Sequence, residues 1–460
     1  MTKLLFVYPR FKYPSGQPPL GLASLIAVVK RDLPDVTVEL YDATFKSNPA
    51  AEFEKLLSSG YDFIAFSVMT TMAKDAHALA ALAKIRNPQA KVIFGGPHAT
   101  VLPEDCLADT NVDSVVMGEG ETTLVELLKR GGDPDGVEGT AFMAAGNIVF
   151  NKPRAPIENI DDLPEPERGL FDMAQYTEVW NSMDTVAPGL RGTSFIISRG
   201  CPYSCSFCQP TLQKLFGRKV RKRSPEKAVA EIANVCARYG ISNFMFEDDT
   251  FLMDKRWAVQ VCALLKERLP EAKWCCNMRV DLISDDLLRV MTESGLRKIN
   301  IGIESRSQQL LDAVYQKGIS IEQVNSAVKL MKKYGLKIQG YFMIGHRSES
   351  EAAIKETLRY ASSLEIDDVS FSILTPFPGT ALYEKEKDYL SRRADEFDYY
   401  SISAYNGDSM QVSPERIKKL KNIGYLKFYL KPKRLVSQLA SSLTPAGFKK
   451  LIFKLKRGLA

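Results

Sequence analysis

The sequence lacks any long apolar run. No window approaches the roughly 18 consecutive apolar residues of a membrane-spanning helix, and the run from Leu4 to Tyr8 near the start is short. A run of that length is too short for the core of a signal peptide and predicts a buried first strand instead. We therefore expect a cytoplasmic protein, in a reducing compartment where clustered cysteines bind metal more often than they form disulfides.

Acidic residues are missing from the C-terminal end of the chain. From Arg416 to Ala460 there are 13 lysines and arginines and no aspartate or glutamate, although the net charge of the whole chain is only +6. The rest of the chain is therefore net negative. Within this tail, GYLKFYLKPKRLVSQL and GFKKLIFKLKRGLA are basic and amphipathic. Such segments could lie on an anionic membrane, hold an acidic partner or pack on the protein itself.

Residues 1 to about 135 alternate short apolar runs with helical patterns. KLLFVYP, LGLASLIAVVKRDL and VELYDA are the first three of these segments. The alternation predicts an open parallel sheet of the Rossmann-like or flavodoxin-like kind, with helices on both faces. Ligands of such sheets lie beyond the carboxyl ends of the strands. No G-x-G-x-x-G follows the first strand, so we do not expect a dinucleotide there.

From Thr193 onward, a unit of helix followed by strand recurs. The helical patterns end at Gly240, Gly295 and Gly335, and each delivers a strand with polar residues at its C-terminal end. This repetition predicts a partial (β/α)6 TIM-like barrel, with its chemistry at the C-terminal face of the strands. The preceding segment contains APIENIDDLPEPERGLFD, which is rich in proline and acids and suits a linker. The predicted division is a ligand-binding domain at 1–140, a linker at 141–190, the barrel at 191–385 and a mostly helical basic extension at 386–460.

Three of the eight cysteines stand close together, in SRGCPYSCSFCQP. The spacing Cys201-x₃-Cys205-x₂-Cys208 lets one loop wrap a metal centre, and thiolates suit zinc or an iron–sulfur cluster. Structural zinc needs four ligands, yet the nearest other cysteine, Cys236, lies in a predicted helix and no histidine is nearby. Three thiolates on a four-iron cluster leave one iron free to bind another molecule. We therefore favour such a cluster over zinc.

This motif, at the end of a first barrel strand, resembles that of the radical S-adenosylmethionine (SAM) superfamily. The resemblance implies that Cys201, Cys205 and Cys208 hold a [4Fe–4S] cluster whose open iron chelates SAM. One electron from the cluster then cleaves SAM to methionine and a 5′-deoxyadenosyl radical. The resemblance continues along the barrel in FEDD, NMRVDLIS, IGIES and TPFPGTALYE.

The same resemblance implies catalytic and SAM-binding residues at the ends of the barrel strands. These are Glu247, Arg279 and Glu304, with Phe207 as a shield beside the cluster. A structural ion pair is the alternative interpretation of the three charged side chains.

The fifth barrel strand departs from the family pattern. It ends Gly-His-Arg-Ser-Glu at residues 345–349, where relatives have Gly-Leu-Pro-Gly-Glu, and we interpret the change as a substrate-specific feature. The remaining cysteines are interpreted as packing residues, among them Cys275 and Cys276, which point to opposite faces of a predicted strand.

The N-terminal domain resembles the cobalamin-binding domain of the B12-dependent radical SAM enzymes. PPLGLASLIA, AFSVMTT, GGPHATVLPE and VMGEGETTL carry the resemblance. It implies that cobalamin is bound by the loops after four strands, at Pro19, Gly21, Ser67, Met69, Thr70, Thr71, Gly95, Gly96, Pro97, His98, Gly118, Glu119, Gly120 and Glu121. The Asp-x-His-x-x-Gly motif that supplies a histidine to cobalt in other B12 proteins is absent, so we expect His98 to shape its loop or to contact corrin side chains. A Rossmann-like domain without a ligand is the alternative.

These resemblances together imply a cobalamin-dependent radical SAM C-methyltransferase. In such enzymes one SAM methylates cobalamin and a second is cleaved, and the methyl group reaches an unactivated carbon of a protein side chain, a peptide or a small metabolite. Glutamine C-methylation of methyl-coenzyme M reductase is one such reaction. The expected partners are a substrate of this kind and a one-electron reductant of the flavodoxin or ferredoxin type. Nucleic acid is not expected, because the appended β-barrel domain of the relatives that modify tRNA is not found.

Three other functions stay open at the level of sequence. A B12-dependent radical SAM cyclase or rearrangement enzyme would share the architecture without transferring a methyl group. Lipid modification is suggested by the basic tail. A cobalamin or metal carrier without catalysis is the third.

Overall fold

The computed structural model describes residues 2–10, 16–183, 186, 191–208, 210–249, 251–391, 403–432 and 434–436, without the side chains of 181–183 and 210–212. The chain forms two compact units. The first comprises Met1–Gln175 with Gln209–Lys222, and the second comprises Tyr176–Cys208 with Arg223–Ala460. Each unit has an apolar core of its own.

The first unit contains a seven-stranded sheet in the order β2-β1-β3-β4-β5-β6-β7. Its strands are β1 (Lys3–Tyr8), β2 (Thr37–Asp42), β3 (Phe63–Ser67), β4 (Lys91–Gly95), β5 (Ser114–Val116), β6 (Thr140–Ala144) and β7 (Asn147–Phe150). Strands β1 to β5 are parallel, and their order 2-1-3-4-5 is that of flavodoxin-like sheets. The predicted open parallel sheet is confirmed.

Helices follow the strands of the first unit. They are α1 (Leu20–Asp32), α2 (Pro49–Leu57), α3 (Ala73–Arg86), α4 (Pro97–Val101), α5 (Pro103–Leu107) and α6 (Gly120–Lys129). The start of α2 illustrates how the sequence sets such a boundary, because the Asn48 side chain accepts a hydrogen bond from the Ala51 N–H and Pro49 occupies the first turn. Three of the predicted cobalamin-binding loops, those after β1, β4 and β5, thus contain the first residues of helices α1, α4 and α6.

Strands β6 and β7 form a hairpin in the segment that the sequence pattern assigns to the linker. Strand β6 pairs antiparallel with β5, and β7 pairs antiparallel with β6. Ala145 and Gly146 connect them with φ of 48° and 81°, the two positive values of a type I′ turn. Met143 and Phe150 are 44% and 49% exposed. The apolar alternation is therefore weak, and Ala-Gly lacks the Asn-Gly signature of such turns.

The second unit contains a six-stranded sheet in the order β15-β14-β13-β12-β11-β8, parallel throughout. The remaining described strands are β8 (Gly192–Phe195), β9 (Ser198–Arg199), β10 (Arg221–Lys222, in the first unit), β11 (Asn243–Phe246), β12 (Lys273–Met278), β13 (Leu296–Glu304), β14 (Lys337–Ile344) and β15 (Asp368–Ile373). Within this sheet each strand lies beside the next one along the chain. This order confirms the predicted partial (β/α)6 barrel.

The remaining described helices belong to the second unit, apart from α8, which lies in the first unit, and the first residues of α7. They are α7 (Met173–Met183), α8 (Pro210–Phe216), α9 (Pro225–Tyr239), α10 (Lys255–Arg268), α11 (Asp285–Glu293), α12 (Ile321–Lys333), α13 (Glu351–Ser363), α14 (Ala381–Glu386) and α15 (Pro414–Tyr429). The glycines predicted to end helices, Gly240, Gly295 and Gly335, have φ of 61°, 104° and 68°. Among the helices described, none combines the length and apolar character that crossing a membrane requires.

The strands of the half-barrel alternate between two apolar clusters. Phe246 and Cys276 belong to the main core with the surrounding helices. Met245 and Cys275 belong to a second cluster, on the other face of the sheet, together with Trp180 of α7. The two adjacent cysteines therefore pack on opposite faces, as predicted, and both are buried.

Candidate active site

The three cysteines of the motif occupy a short loop directly after β9. The Cys208 N–H donates to the Cys205 carbonyl (3.2 Å), and the Ser206 N–H donates to the Tyr315 carbonyl (3.0 Å). The Phe207 ring packs edge-on against the Tyr315 ring, with 5.3 Å between centroids. The loop is thus fastened to the segment between β13 and α12. Phe207, predicted as a shield, is partly buried beside the thiols.

The thiols of this loop are free and close enough to influence one another. Burial raises the pKa of Cys201, and the neighbouring Cys205 adds to the effect. Cys208 is exposed as a residue, yet desolvation of its thiol, together with the charges of Cys205 and Cys201, raises its pKa to about 12. Among the residues described, no three His, Cys, Asp or Glu side chains converge as ligands of a single metal ion.

Arg279, at the end of β12, connects the cysteine loop to the barrel strands. Its Nη1 donates to the Cys205 Sγ (3.7 Å), and its Nη2 donates to the Lys317 carbonyl (2.8 Å). Asp281 holds the same guanidinium through Nε (3.0 Å) and Nη2 (3.1 Å). The guanidinium carbon lies 3.6 Å from the centre of the Tyr203 ring. Arg279, a predicted SAM-binding residue, is therefore held against the cysteine loop.

Glu304, the last residue of β13, has a left-handed backbone with φ of 67°. Its Oε1 accepts from Lys317 Nζ at 2.5 Å, and the two side chains are 8% and 9% exposed. A Cβ on residue 302 would lie 2.4 Å from this oxygen and 2.5 Å from the ammonium, so one of these side-chain ends would have to move to admit a larger residue. Glu304 is thus an ion-paired group whose second oxygen has no hydrogen-bond partner among the described residues. Sequence reasoning missed Lys317, which lies in a loop without a motif.

Three acidic residues, Glu247, Asp248 and Asp249, follow β11. Glu247 is half-buried, and its N–H donates to the Phe195 carbonyl (2.8 Å). Asp248, which the sequence analysis did not single out, is buried, and its Oδ1 accepts from the Ser198 hydroxyl (2.5 Å) and the Ile197 N–H (3.1 Å). Its Oδ2 is buried without a partner among the described residues. Burial raises the pKa of Asp248 to about 7.

The unusual residues after β14, the fifth barrel strand, make contacts within the second unit. Arg347 forms an ion pair with Glu386 and lies 3.8 Å from the Tyr389 ring centre. His346 Nε2 is 3.8 Å from Glu386, and burial lowers the pKa of this imidazole. The Gln411 N–H donates to the Arg347 carbonyl. These contacts hold the chain that follows α14, so the departure from the family pattern needs no substrate contact to explain it.

In the first unit, the loops after β3 and β4 are fastened to each other. The Val68 N–H donates to the Gly95 carbonyl (2.8 Å), and the His98 N–H donates to the Val68 carbonyl (2.9 Å). The buried His98 ring contacts Asp105 through Nε2 (3.0 Å) and Thr70 through Nδ1 (3.4 Å). His98 therefore shapes its loop, as one of the two predicted roles requires.

The acidic residues of the loop after β5 are engaged inside the first unit. Glu119 accepts from Arg221 (2.7 Å) and from the Ile157 N–H (2.7 Å), and the side chains of the ion pair are 3% and 5% exposed. Glu121 accepts from the Ser24 hydroxyl (2.9 Å). These two carboxylates therefore hold the loop in place.

The other predicted residues of the first unit lie at the carboxyl ends of the parallel strands and are partly or fully exposed. They are Pro19, Gly21, Ser67, Met69, Thr70, Thr71, Gly95, Gly96, Pro97, Gly118 and Gly120. Carboxyl ends of neighbouring parallel strands form one edge of a sheet, which is where such folds bind ligands.

Comparisons with known proteins agree with both halves of this description. Residues 195–361 match the Radical SAM superfamily, and residues 11–128 match the B12 binding domain. An uncharacterized methyltransferase of Pyrococcus horikoshii is 32% identical over 428 residues, which cover 92% of this chain and 90% of the relative. The anaerobic magnesium-protoporphyrin IX monomethyl ester cyclase of Cereibacter sphaeroides is 28% identical, with 82% of this chain and 61% of the cyclase covered.

A solved structure shares the fold. The radical SAM methyltransferase TsrM from Kitasatospora setae, solved with cobalamin and a [4Fe–4S] cluster, superposes with a TM-score of 0.72 at 19% identity, over 83% of this chain and 77% of TsrM. The fold and the two matches define a radical SAM enzyme with a B12-binding domain. The chain belongs to the cobalamin-dependent radical SAM methyltransferases. Its cofactors are accordingly a [4Fe–4S] cluster, SAM and cobalamin.

Proposed function

We propose that the protein transfers a methyl group from SAM to an unactivated carbon of a protein side chain, a peptide or a small metabolite. When bound, the cluster supplies the electron that cleaves SAM, and cobalamin carries the methyl group to the substrate. The observation that carries the proposal is a loop of three thiols at the carboxyl edge of the half-barrel, with Arg279 donating to the middle thiol. In barrels of this kind the reactive groups lie at that edge.

We propose Cys201, Cys205 and Cys208 as the three protein ligands of the cluster. The donor set fits this group, because soft thiols suit iron and each thiol on the loop is near another. Phe207 and the backbone bonds of Ser206 hold the loop and limit access of water to it.

Arg279 and Glu304 are proposed to bind the polar end of SAM, with Glu247 as a third contact. A guanidinium has five N–H donors, and four of them serve Asp281, Lys317 and Cys205. A carboxylate is the partner that guanidinium groups favour. The second oxygen of Glu304 can accept from an ammonium or hydroxyl group.

We propose that cobalamin is bound at the edge formed by the loops after β1, β3, β4 and β5. The partly exposed residues of those loops supply the contacts, and Glu119 and Glu121 support them from within. Both ring nitrogens of His98 face Asp105 or Thr70, so we do not propose His98 as a ligand of cobalt.

Anaerobic reconstitution tests the proposal. The purified protein should take up about four irons and one cobalamin per chain, and with SAM and a strong reductant it should release 5′-deoxyadenosine. Cys205→Ala should abolish that release, whereas Cys262→Ala, a buried cysteine elsewhere in the barrel, should preserve it. A wild-type protein that takes up iron but never cleaves SAM would contradict the proposal and favour a carrier.

A cyclase or rearrangement enzyme is the second candidate, because the Cereibacter sphaeroides relative is a cyclase. Product analysis separates the two once a substrate is found. Methyl transfer yields both S-adenosylhomocysteine and 5′-deoxyadenosine, whereas rearrangement yields only the latter. A deuterated methyl group on SAM should appear in the product of the methyltransferase alone.

The proposed reaction also needs an electron donor of the flavodoxin or ferredoxin type and the reducing interior of a cell. The predicted contact of the basic tail with a membrane concerns residues that lie largely outside those described. Vesicle binding by the full-length protein would test that contact.

A further inference from the structure

Lys317 lies among the charged residues of the barrel, although no motif includes it. Its side chain is 9% exposed, and its Nζ is 2.5 Å from Glu304 Oε1. Its carbonyl oxygen accepts from Arg279 Nη2 at 2.8 Å. One residue therefore holds both proposed SAM contacts, Glu304 with its side chain and Arg279 with its backbone.

The Lys317 ammonium also lies beside the cysteine loop. Its Nζ is 5.8 Å from the centre of the Phe207 ring, within the range of a cation–π contact. Phe207 directly precedes Cys208 in this loop. Arg279 contacts Cys205 in the same loop. Two cations, Arg279 at the end of β12 and Lys317 in the loop before α12, thus lie beside the cysteine loop.

The surroundings are shaped for this ammonium. The side chains of Lys317 and Glu304 occupy the space that a Cβ on Gly302 would need. Glu304 adopts a left-handed backbone, which is unfavourable for a residue with a Cβ. Such a conformation persists only where neighbouring contacts fix it. The Lys317–Glu304 ion pair is one contact of this residue.

We propose that Lys317 is a positioning residue that orients Glu304 and Arg279 toward SAM and makes the bound cluster easier to reduce. Reduction adds a negative charge to the cluster, and a cation in a poorly hydrated site stabilises that charge. The carboxylate of Glu304 opposes part of this effect. The inference rests on the proposed function, since it assumes that the thiols hold a cluster.

Three variants and one control test the proposal. They are Lys317→Met, Glu304→Gln, the double variant and Lys333→Met, which removes an exposed lysine paired with Asp285. After anaerobic reconstitution, iron content is measured first. The midpoint potential of the cluster, without SAM, is then followed by electron paramagnetic resonance, and the Kd of SAM by equilibrium dialysis.

The two single variants should shift the potential in opposite directions. Lys317→Met leaves a carboxylate uncompensated and should lower the potential, whereas Glu304→Gln frees the cation and should raise it. The double variant should return close to the wild type in potential. All three should bind SAM about tenfold or more weakly. Lys333→Met should match the wild type in both measurements.

Midpoint potentials that do not change, or that shift in the same direction in both single variants, would overturn the inference. A residue that only stabilises the structure would not shift the potential in opposite directions in the two variants. If Lys317→Met fails to bind iron, the higher midpoint potential expected for Glu304→Gln still tests the inference. If the wild type itself takes up no iron, the proposed function fails and this inference fails with it. A wild type that binds iron beside variants of unchanged potential would remove this inference alone.

Discussion

At the scale of single residues, the candidate site depends on side chains that no motif specifies. Glu304 could be predicted from IGIES, but its partner Lys317 lies 13 positions away in a connecting loop. Only the fold brings the two together. Gly302, within the same motif, leaves the space beside it to the ion pair.

Gly302→Ala tests this tight packing. The added methyl group would lie 2.4 Å from Glu304 Oε1 and 2.5 Å from Lys317 Nζ, so the pair must separate. Crowding of this kind costs about 1–3 kcal/mol, and we expect affinity for SAM to fall about tenfold or more while iron uptake persists. Equilibrium dialysis checks the first and iron analysis the second. Gly407→Ala, whose methyl group would meet only an ordinary contact with Pro414, is the control. Equal SAM affinity in the two variants would refute the argument.

Asp248 gives a prediction for pH dependence. Burial raises the pKa of this carboxyl from 3.8 to about 7, so the folded state holds its proton where the unfolded state has lost it. Stability from this group is therefore present at low pH and is lost as pH rises from about 4 to about 7.

The stability of the wild type relative to Asp248→Asn should accordingly decline across this range and stay constant above it. Urea unfolding of the apo proteins at several pH values measures the difference, since the other groups cancel. The surface substitution Asp75→Asn controls for the change of residue type. A relative stability that rises with pH would contradict the assigned shift.

At the scale of elements, the parallel strands could be predicted from the sequence, because each buried strand is a short apolar run that ends at polar residues. The hairpin of β6 and β7 was not, since its strands expose one side and its turn uses Ala145 where asparagine is usual. Likewise, the acidic GEGE loop suggested ligand contacts, but the partner of Glu119 lies 102 positions away. Long-range pairing of this kind leaves no local pattern.

That partner, Arg221, supports a prediction about the loop after β5. The ion pair is almost fully buried, and removing one member of such a pair costs about 3–5 kcal/mol because the other stays charged and unpaired. Arg221→Met should therefore lower the unfolding temperature of the apo protein clearly, and Glu119→Gln added to it should restore part of the loss. Lys152→Met breaks the exposed pair with Glu138 and should leave the transition unchanged. Differential scanning calorimetry makes the comparison, and equal effects of the two single changes would contradict it.

At the scale of the whole molecule, the two candidate cofactor sites belong to different compact units. The proposed cobalamin contacts lie in the first unit and the proposed cluster ligands in the second. Their apolar cores share no residue. Each unit can therefore keep its own packing when a site in the other is altered.

Independent loading of the two cofactors follows from that division. The triple variant Cys201→Ala, Cys205→Ala and Cys208→Ala should lose nearly all cluster iron, because all three thiol donors are removed. Its cobalt content and its affinity for cobalamin should stay near those of the wild type. His98→Ala should lower the affinity for cobalamin and keep the iron content of the wild type. It removes the contacts of His98 with Asp105 and Thr70 in the loops of the first unit and leaves the cysteine loop unchanged. Metal analysis and visible spectra of anaerobically reconstituted protein give both values, with Cys106→Ala and Cys262→Ala as buried-cysteine controls in the first and second units. Loss of cobalamin from the triple variant would show that the units are coupled and that separate cores do not suffice to hold each site.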